Sequence, residues 1–452
     1  MQVSDSGNPL DRMLMTFLIV LGLFVLGSRA EQTIRILANN KWVVALFIFI
    51  ASSILWSNFP DISLRRGIRS IGTLVMVLVV LTEPNPLGAV RALLRRLYLV
   101  HIPLSIIAIK FFRNFAVLYN WNGTEEEWTG LATDKNSLGQ VAMCSGLFCI
   151  WQILQDWPKR KLNLKKLVLS VLLLLLTLWL LRGSKNVHSS TAIIGFVICS
   201  VVLIGLQYVK KRSAHAKSII LAGSMALTIL APLAYLAFQA FDTTPVQMVL
   251  QATGRDMTLT DRTLIWTDVI NDAAKSPVLG VGIGAFWVGP IGYNMYPLPN
   301  WSQKTPGWRP EEGHNGFIDV YAQLGAVGVV LLLIVIGVAF AGALTHLESD
   351  FQFGSLRLTF LLSVIMSNMT ETSFLDGTHG PWFLFLLMAV NLPRPIREAP
   401  SRKNSIAVGN SADRDEQSFK GDVLVSSPFH RSTDSSLALP EMSPYFESYS
   451  LV

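Results

Sequence analysis

Charged residues are scarce in this sequence. Asp, Glu, Lys and Arg together make up 15% of 452 residues, where a soluble protein carries about 25%. The shortfall excludes an ordinary soluble domain. Cysteine is scarcer still, with Cys144, Cys149 and Cys199 alone. None lies in a CxxC or Cys/His spacing, which excludes a zinc site of that kind. All three fall in apolar runs and read as small core residues. Carboxylates clustered to hold a divalent cation are missing too, so neither a metal nor a cofactor is expected. One glycine-rich stretch, GVGIGAF at 280–286, lacks the preceding strand that a nucleotide loop needs. It reads instead as a tight turn, its backbone exposed, packed on a membrane surface.

Apolar residues are abundant, at 51% with a mean hydropathy of +0.45. They come in blocks near 11–28, 42–56, 67–82, 97–112, 136–154, 165–181, 191–208, 218–238, 317–345, 355–369 and 380–393. A span needs about 20 mostly apolar residues, and a helix covered by protein can be shorter or more polar. The fold class expected is all-α, a polytopic membrane bundle of about 11–12 helices. No cleavable signal is expected, and the first run is read as the first span.

Lys and Arg concentrate in RALLRR (91–96), PKRKLNLKK (158–166), KKRSAHAK (210–217) and the segment after Pro393. The positive-inside rule puts these in the cytoplasm. The net charge of +7 then reflects topology, and no nucleic-acid partner is implied. The intervening loops, 57–66, 113–135, 182–190 and 239–316, are external; eleven spans would put the N-terminus outside as well, and a twelfth, before residue 97, would put it inside. Four parts follow: N-terminal membrane helices (1–238), a long external cap (239–316), C-terminal membrane helices (317–393) and a Ser- and Pro-rich cytoplasmic tail (394–452), whose composition predicts disorder. Within the cap, TDRTLIWTDVINDAAKSP places Leu264, Ile265, Trp266, Val269, Ile270 and Ala273 at helical spacing. An amphipathic helix lying on the outer face of the bundle is expected there.

External cations should be few, so those present call for a reason. Arg65, Arg66, Lys135, Arg182, Lys185, Arg255 and Arg262 all lie at helix ends or in the cap. Converging over one external cavity, they would suit a lipid-borne anion such as a polyprenyl diphosphate, because the guanidinium fork pairs with phosphate oxygens. The plainer alternative pairs them with Asp61, Asp134, Asp256 or Asp261, or with lipid headgroups. His314 follows Glu311 and Glu312 at the rim of a span. Neutral imidazole can take a proton from a sugar hydroxyl, and Asn315 is placed to cap the next helix or hold a ligand.

Five stretches, in order, resemble the O-antigen ligase and polymerase superfamily. They are WSNFPDISLRRGI (56–68), DKNSLG (134–139), LLRGSKN (180–186), TDRTLIWTDVINDAAKSPVLGVGIGAF (260–286) and HNGFIDVYAQLGAVG (314–328). The resemblance implies metal-independent glycosyl transfer from an undecaprenyl-diphosphate carrier at the outer face of the bacterial inner membrane. It implies His314 as the base and Arg182, Arg255 and Arg262 on the diphosphate. Arg-Gly-Ser-Lys stands where the family has a Ser-Arg or Arg-Ser pair, so Arg182 and Lys185 are alternatives for that work. The other substrate contacts expected are Arg65, Arg66, Lys135, Glu311, Glu312 and Asn315. GRDMTLTDR looks most like exopolysaccharide polymerases, which join lipid-linked repeat units. Such an enzyme would work beside membrane lipids and beside the flippase and chain-length-control proteins of its pathway. A ligase moving a finished chain to lipid A-core would use the same machinery. A transporter of lipid-linked sugars would also want an arginine-lined cavity, but would show repeats and mid-depth polar breaks.

Overall fold

The structure is a computed structural model that describes residues 9–119, 125–156, 163–185, 187–208, 223, 262–288, 312–377 and 380–393. Its helices are α1 (Pro9–Ser28), α2 (Ala30–Asn39), α3 (Lys41–Ser52), α4 (Pro60–Leu81), α5 (Pro86–Phe111), α6 (Arg113–Ala116), α7 (Lys135–Asp156), α8 (Leu164–Arg182), α9 (Ser190–Tyr208), α10 (Arg262–Ala273), α11 (Gly316–Ser349), α12 (Phe351–Asn368) and α13 (Gly380–Ala389). Six of these, α1, α5, α7, α8, α9 and α11, are long and apolar enough to cross a membrane. The α2–α3 pair, bent by 94°, makes seven if it is one broken span. The protein is an all-α polytopic membrane bundle. The apolar run at 218–238 lies outside the described residues. The other ten runs all fall on helices.

Local chemistry sets the boundaries. Pro60 and Pro86 open α4 and α5, where a missing N–H costs nothing. The Asn85, Asn163 and Asp350 side chains accept from the first-turn N–H groups of α5, α8 and α12. Asp134 does the same for α7, taking Asn136 N at 2.8 Å and Ser137 N at 3.0 Å. Burial opposes its charge, but these bonds and the Ser137 and Thr133 hydroxyls outweigh burial and hold its carboxyl below the usual range. The sequence reading contains no strand, yet a short antiparallel ribbon pairs Val117–Tyr119 with Glu126–Trp128.

Helix α12 runs through the middle and is buried almost throughout. Its Arg357 is fully buried. The guanidinium donates to Met388 O at 2.8 Å, Ala389 O at 3.3 Å and Asn391 Oδ1 at 2.9 Å, and meets His346 Nδ1 at 2.6 Å. It thus satisfies the last carbonyls of α13, which no further helical turn would reach. Asn40, at the α2–α3 bend, closes the same knot through Asn391 N and O at 2.7 and 2.8 Å.

The opposite end of the bundle is organised by the loop 276–286. It threads into a break in α11 at Gly325, whose φ of 64° and ψ of −166° are open to glycine alone. The break leaves Ala326 N and Val327 N to bond Pro277 O and Val278 O at 2.8 and 3.2 Å. The approach is close from both sides. A Cβ on Gly325 would meet Val278 O at 2.3 Å, and one on Gly280 would meet Gln323 O at 2.3 Å. This corrects the expectation of an exposed turn, because residues 280–286 are buried. Gly282 N bonds Gln323 O, Ile283 N bonds Ser53 Oγ and Gly284 N bonds Gln323 Oε1. These donors are occupied by protein and cannot cradle a phosphate.

Candidate functional site

Helix α10 forms where the apolar spacing places it. Ile265, Trp266, Val269 and Ala273 are buried, while Ile270 faces out. The buried face packs on Val281, Ala285, Phe286 and Ala322, with Ile318 and Tyr321 alongside. The expected amphipathic helix therefore rests on the 276–286 loop and the first turns of α11. This seating brings Arg262, its first residue, to the turn after α12.

Arg262 Nη2 lies 2.6 Å from Glu371 Oε1, and Nη1 donates to Thr370 O. The two side chains are 15% and 7% exposed, so this is an ion pair largely out of water. The other oxygen of Glu371 lies 3.3 Å from His314 Nδ1, and Glu312 Oε1 lies 2.8 Å from the same nitrogen. Burial opposes a charged ring, but the hydrogen bonds and charges of the two carboxylates outweigh it and push the His314 pKa up to about 9. Nδ1 is thus the donor, and Nε2 has no hydrogen-bond partner among the described residues.

The His314 backbone is held in the left-handed region, with φ 49°. Trp266 Nε1 donates to Gly313 O at 2.8 Å, and Gly316 N donates to Glu371 O at 3.1 Å. Asn315 caps α11 as its position predicts, accepting from Phe317 N and Ile318 N at 3.0 and 3.2 Å. Its amide donates to Met369 O.

The remaining cations form two other groups. Arg182 and Lys185 flank the Gly183 turn, exposed and with no ion pair among the described residues. Lys135 pairs with Glu127 at 2.6 Å and lines a narrow cleft with Trp128, Gly183, His188 and Ser189. This group adjoins the His314 cluster through Thr191 Oγ1, which is 2.7 Å from Thr370 Oγ1. Arg65 and Arg66 lie on the first turns of α4. Arg65 Nε donates to Asp61 O, and the Arg66 stem covers Gly284. Arg255 and Glu311 lie outside the described residues. The sequence reading expected one cavity. The described residues show one tight cluster of Arg262, Glu312, His314 and Asn315, with the other cations beside it.

Glu371 and Asp319 were not singled out from the sequence. Both carried a signal, since each is an acidic residue at the margin of an apolar run, where a carboxylate needs a reason. Glu312, His314 and Glu371 also bring three possible metal-ligand atoms within 4.8 Å. As arranged, the imidazolium and Arg262 already balance the two carboxylates.

Residues 173–333 match the family model described as O-Antigen ligase. That stretch runs from α8 into α11 and contains Arg182, Lys185, Arg262 and His314. The chain is thus similar to the O-antigen ligase family over that stretch. It is also 27% identical over 370 residues to "Exopolysaccharide production protein ExoQ" of Rhizobium meliloti (strain 1021), covering 80% of this chain and 78% of that one. At the coarse level these similarities support ligase- or polymerase-type work in exopolysaccharide production.

Proposed function

We propose that this protein, like members of the O-antigen ligase and polymerase superfamily, joins oligosaccharide repeat units carried on a polyprenyl diphosphate, at the outer face of the bacterial inner membrane, to build exopolysaccharide. The observation that carries the reading is His314. It is clamped through Nδ1 by two carboxylates, with Nε2 free of hydrogen bonds among the described residues, at the end of the bundle where cations gather. In this reading Nε2 takes the proton of the acceptor hydroxyl as that oxygen attacks the anomeric carbon of the donor. The bond from that carbon to the diphosphate breaks, and Arg182 and Lys185 stabilise the charge that grows on the leaving group. With no carboxylate partner among the described residues, they suit that task better than Arg262, which Glu371 already neutralises. Arg262 then acts as a strut for Glu371. Residues 239–316 serve as a cap that limits hydrolysis. No step calls for a metal, since proton transfer and charge stabilisation both come from side chains.

The clustering of titratable groups at one end of the bundle favours an enzyme over a transporter, which would need polar groups at mid-depth. The test is His314→Ala, expressed to wild-type level, with lipid-linked saccharides sized by mass spectrometry. Single repeat units on lipid without polymer are expected. Long lipid-linked chains that never reach an acceptor would support a ligase instead. Normal polymer would remove His314 as the base.

A further inference from the structure

Asp319 has no exposure at all and lies in the first turn of α11, one turn beyond His314. Its carboxylate is the meeting point of three other segments. Oδ2 accepts from Gly313 N at 2.9 Å and from the Thr372 hydroxyl. Oδ1 accepts from Trp287 Nε1 at 2.9 Å. Gly313 separates Glu312 from His314, Thr372 follows Glu371, and Trp287 directly follows the buried stretch 280–286. Each group that contacts the imidazole is therefore one residue from an Asp319 ligand. The fit is close, since a Cβ on Gly313 would stand 3.1 Å from Asp319 Oδ1. A non-glycine residue at φ 49° is strained by about 1 kcal/mol or more, and such a conformation persists only where its surroundings overdetermine it.

We infer that Asp319 is a positioning residue for His314, fixing the Glu312–His314–Glu371 spacing and tying it to the cap loop through Trp287. This rests on the reading of His314 as the base, and goes beyond it by naming what holds the base in register. An Asn at 319 must present an N–H to one of three donors. It therefore breaks the hub while keeping its size. With the spacing relaxed, both carboxylates drift from Nδ1 and the ring loses the charges that favour its protonated form.

The experiment uses the full-length protein in detergent, with Asp319→Asn and Thr372→Val. The pH midpoint of His314 carbethoxylation is read by peptide mass spectrometry, a signal independent of turnover. A midpoint at least one unit nearer the ordinary histidine value is expected in both variants. A fall in kcat of roughly 10- to 100-fold on the alkaline plateau, where the ring is neutral in every variant, with KM within twofold should accompany it, because Asp319 is fully buried. If Asp319→Asn fails to accumulate, Thr372→Val, which deletes one hydroxyl, carries the test. A wild-type midpoint in the accumulating variants overturns the inference whatever happens to activity. An active His314→Ala overturns the role of the base, and a shifted midpoint would still stand as evidence for the hub.

Discussion

His314 would be a poor base at neutral pH as it stands. With its pKa pushed up to about 9, only about 1% of the ring is neutral at pH 7. A base works deprotonated, so kcat/KM should climb about tenfold per pH unit below 9 and level off above it. A pH–rate profile on purified protein checks this, and a profile already flat at pH 7 would contradict it. Glu371→Gln removes one of the two carboxylates, so the limb should move towards acid. The same change leaves Arg262 buried without its partner. Losing one member of such a pair costs about 3–5 kcal/mol, so the melting temperature in detergent should fall as well. Arg262→Lys should fall less, because the charge is kept while the fork to Thr370 O is lost.

At the scale of elements, two features carry stability away from the chemistry. Gly325→Ala puts a methyl against Val278 O at 2.3 Å in a conformation open to glycine alone. It should lower both the melting temperature and the yield, since neither the break in α11 nor the loop can shift alone. Arg357→Met leaves the α13 carbonyls without donors, at a cost of about 1–3 kcal/mol for each group orphaned. Thermal unfolding should register the loss while kcat of the folded fraction stays near wild type, because the Arg357 knot sits at the other end of the bundle. Much at this scale was legible in the sequence. The helix at 262–273, the cap at Asn315 and the spans follow from periodicity, capping chemistry and run length, which are local. The burial of 280–286 was not legible. GVGIGAF reads as an exposed turn until Ser53, Gln323 and the Gly325 break are known to surround it, and those lie up to about 230 residues away in the chain. The Glu371 and Asp319 contacts escaped for the same reason, because their partners belong to other segments.

For the whole molecule, the cations that flank the His314 cluster set the expected binding behaviour. Arg182→Ala and Lys185→Ala should each raise KM for a lipid-diphosphate donor several-fold. The double variant should lose more, and its kcat should fall too, because these charges hold the diphosphate in the ground state and the charge that grows on it in the transition state. Salt should weaken donor binding in the wild type more than in the double variant, since exposed charges are screened within about 10 Å at 0.1 M. A steady-state titration at two ionic strengths measures both effects. Equal salt dependence in the two proteins would place the diphosphate elsewhere.

The joint at Gly325 has a consequence for biosynthesis. The 276–286 loop takes partners from Ser53, Asn58 and Ser63 on one side and from Gln323 to Val327 on the other. His314 closes only when Glu371 arrives. Contacts of such long sequence separation form late, and a chain leaving the ribosome gains them in order. A nascent or prematurely terminated chain ending before Thr370 would hold His314 with neither Glu371 nor the Arg262 strut. Such fragments would sit in the membrane already carrying the Arg182 and Lys185 turn, with Glu312 alone to orient the imidazole. On the reading of His314 as the base, the Glu312–His314–Glu371 arrangement is complete only when nearly all of the bundle has been made.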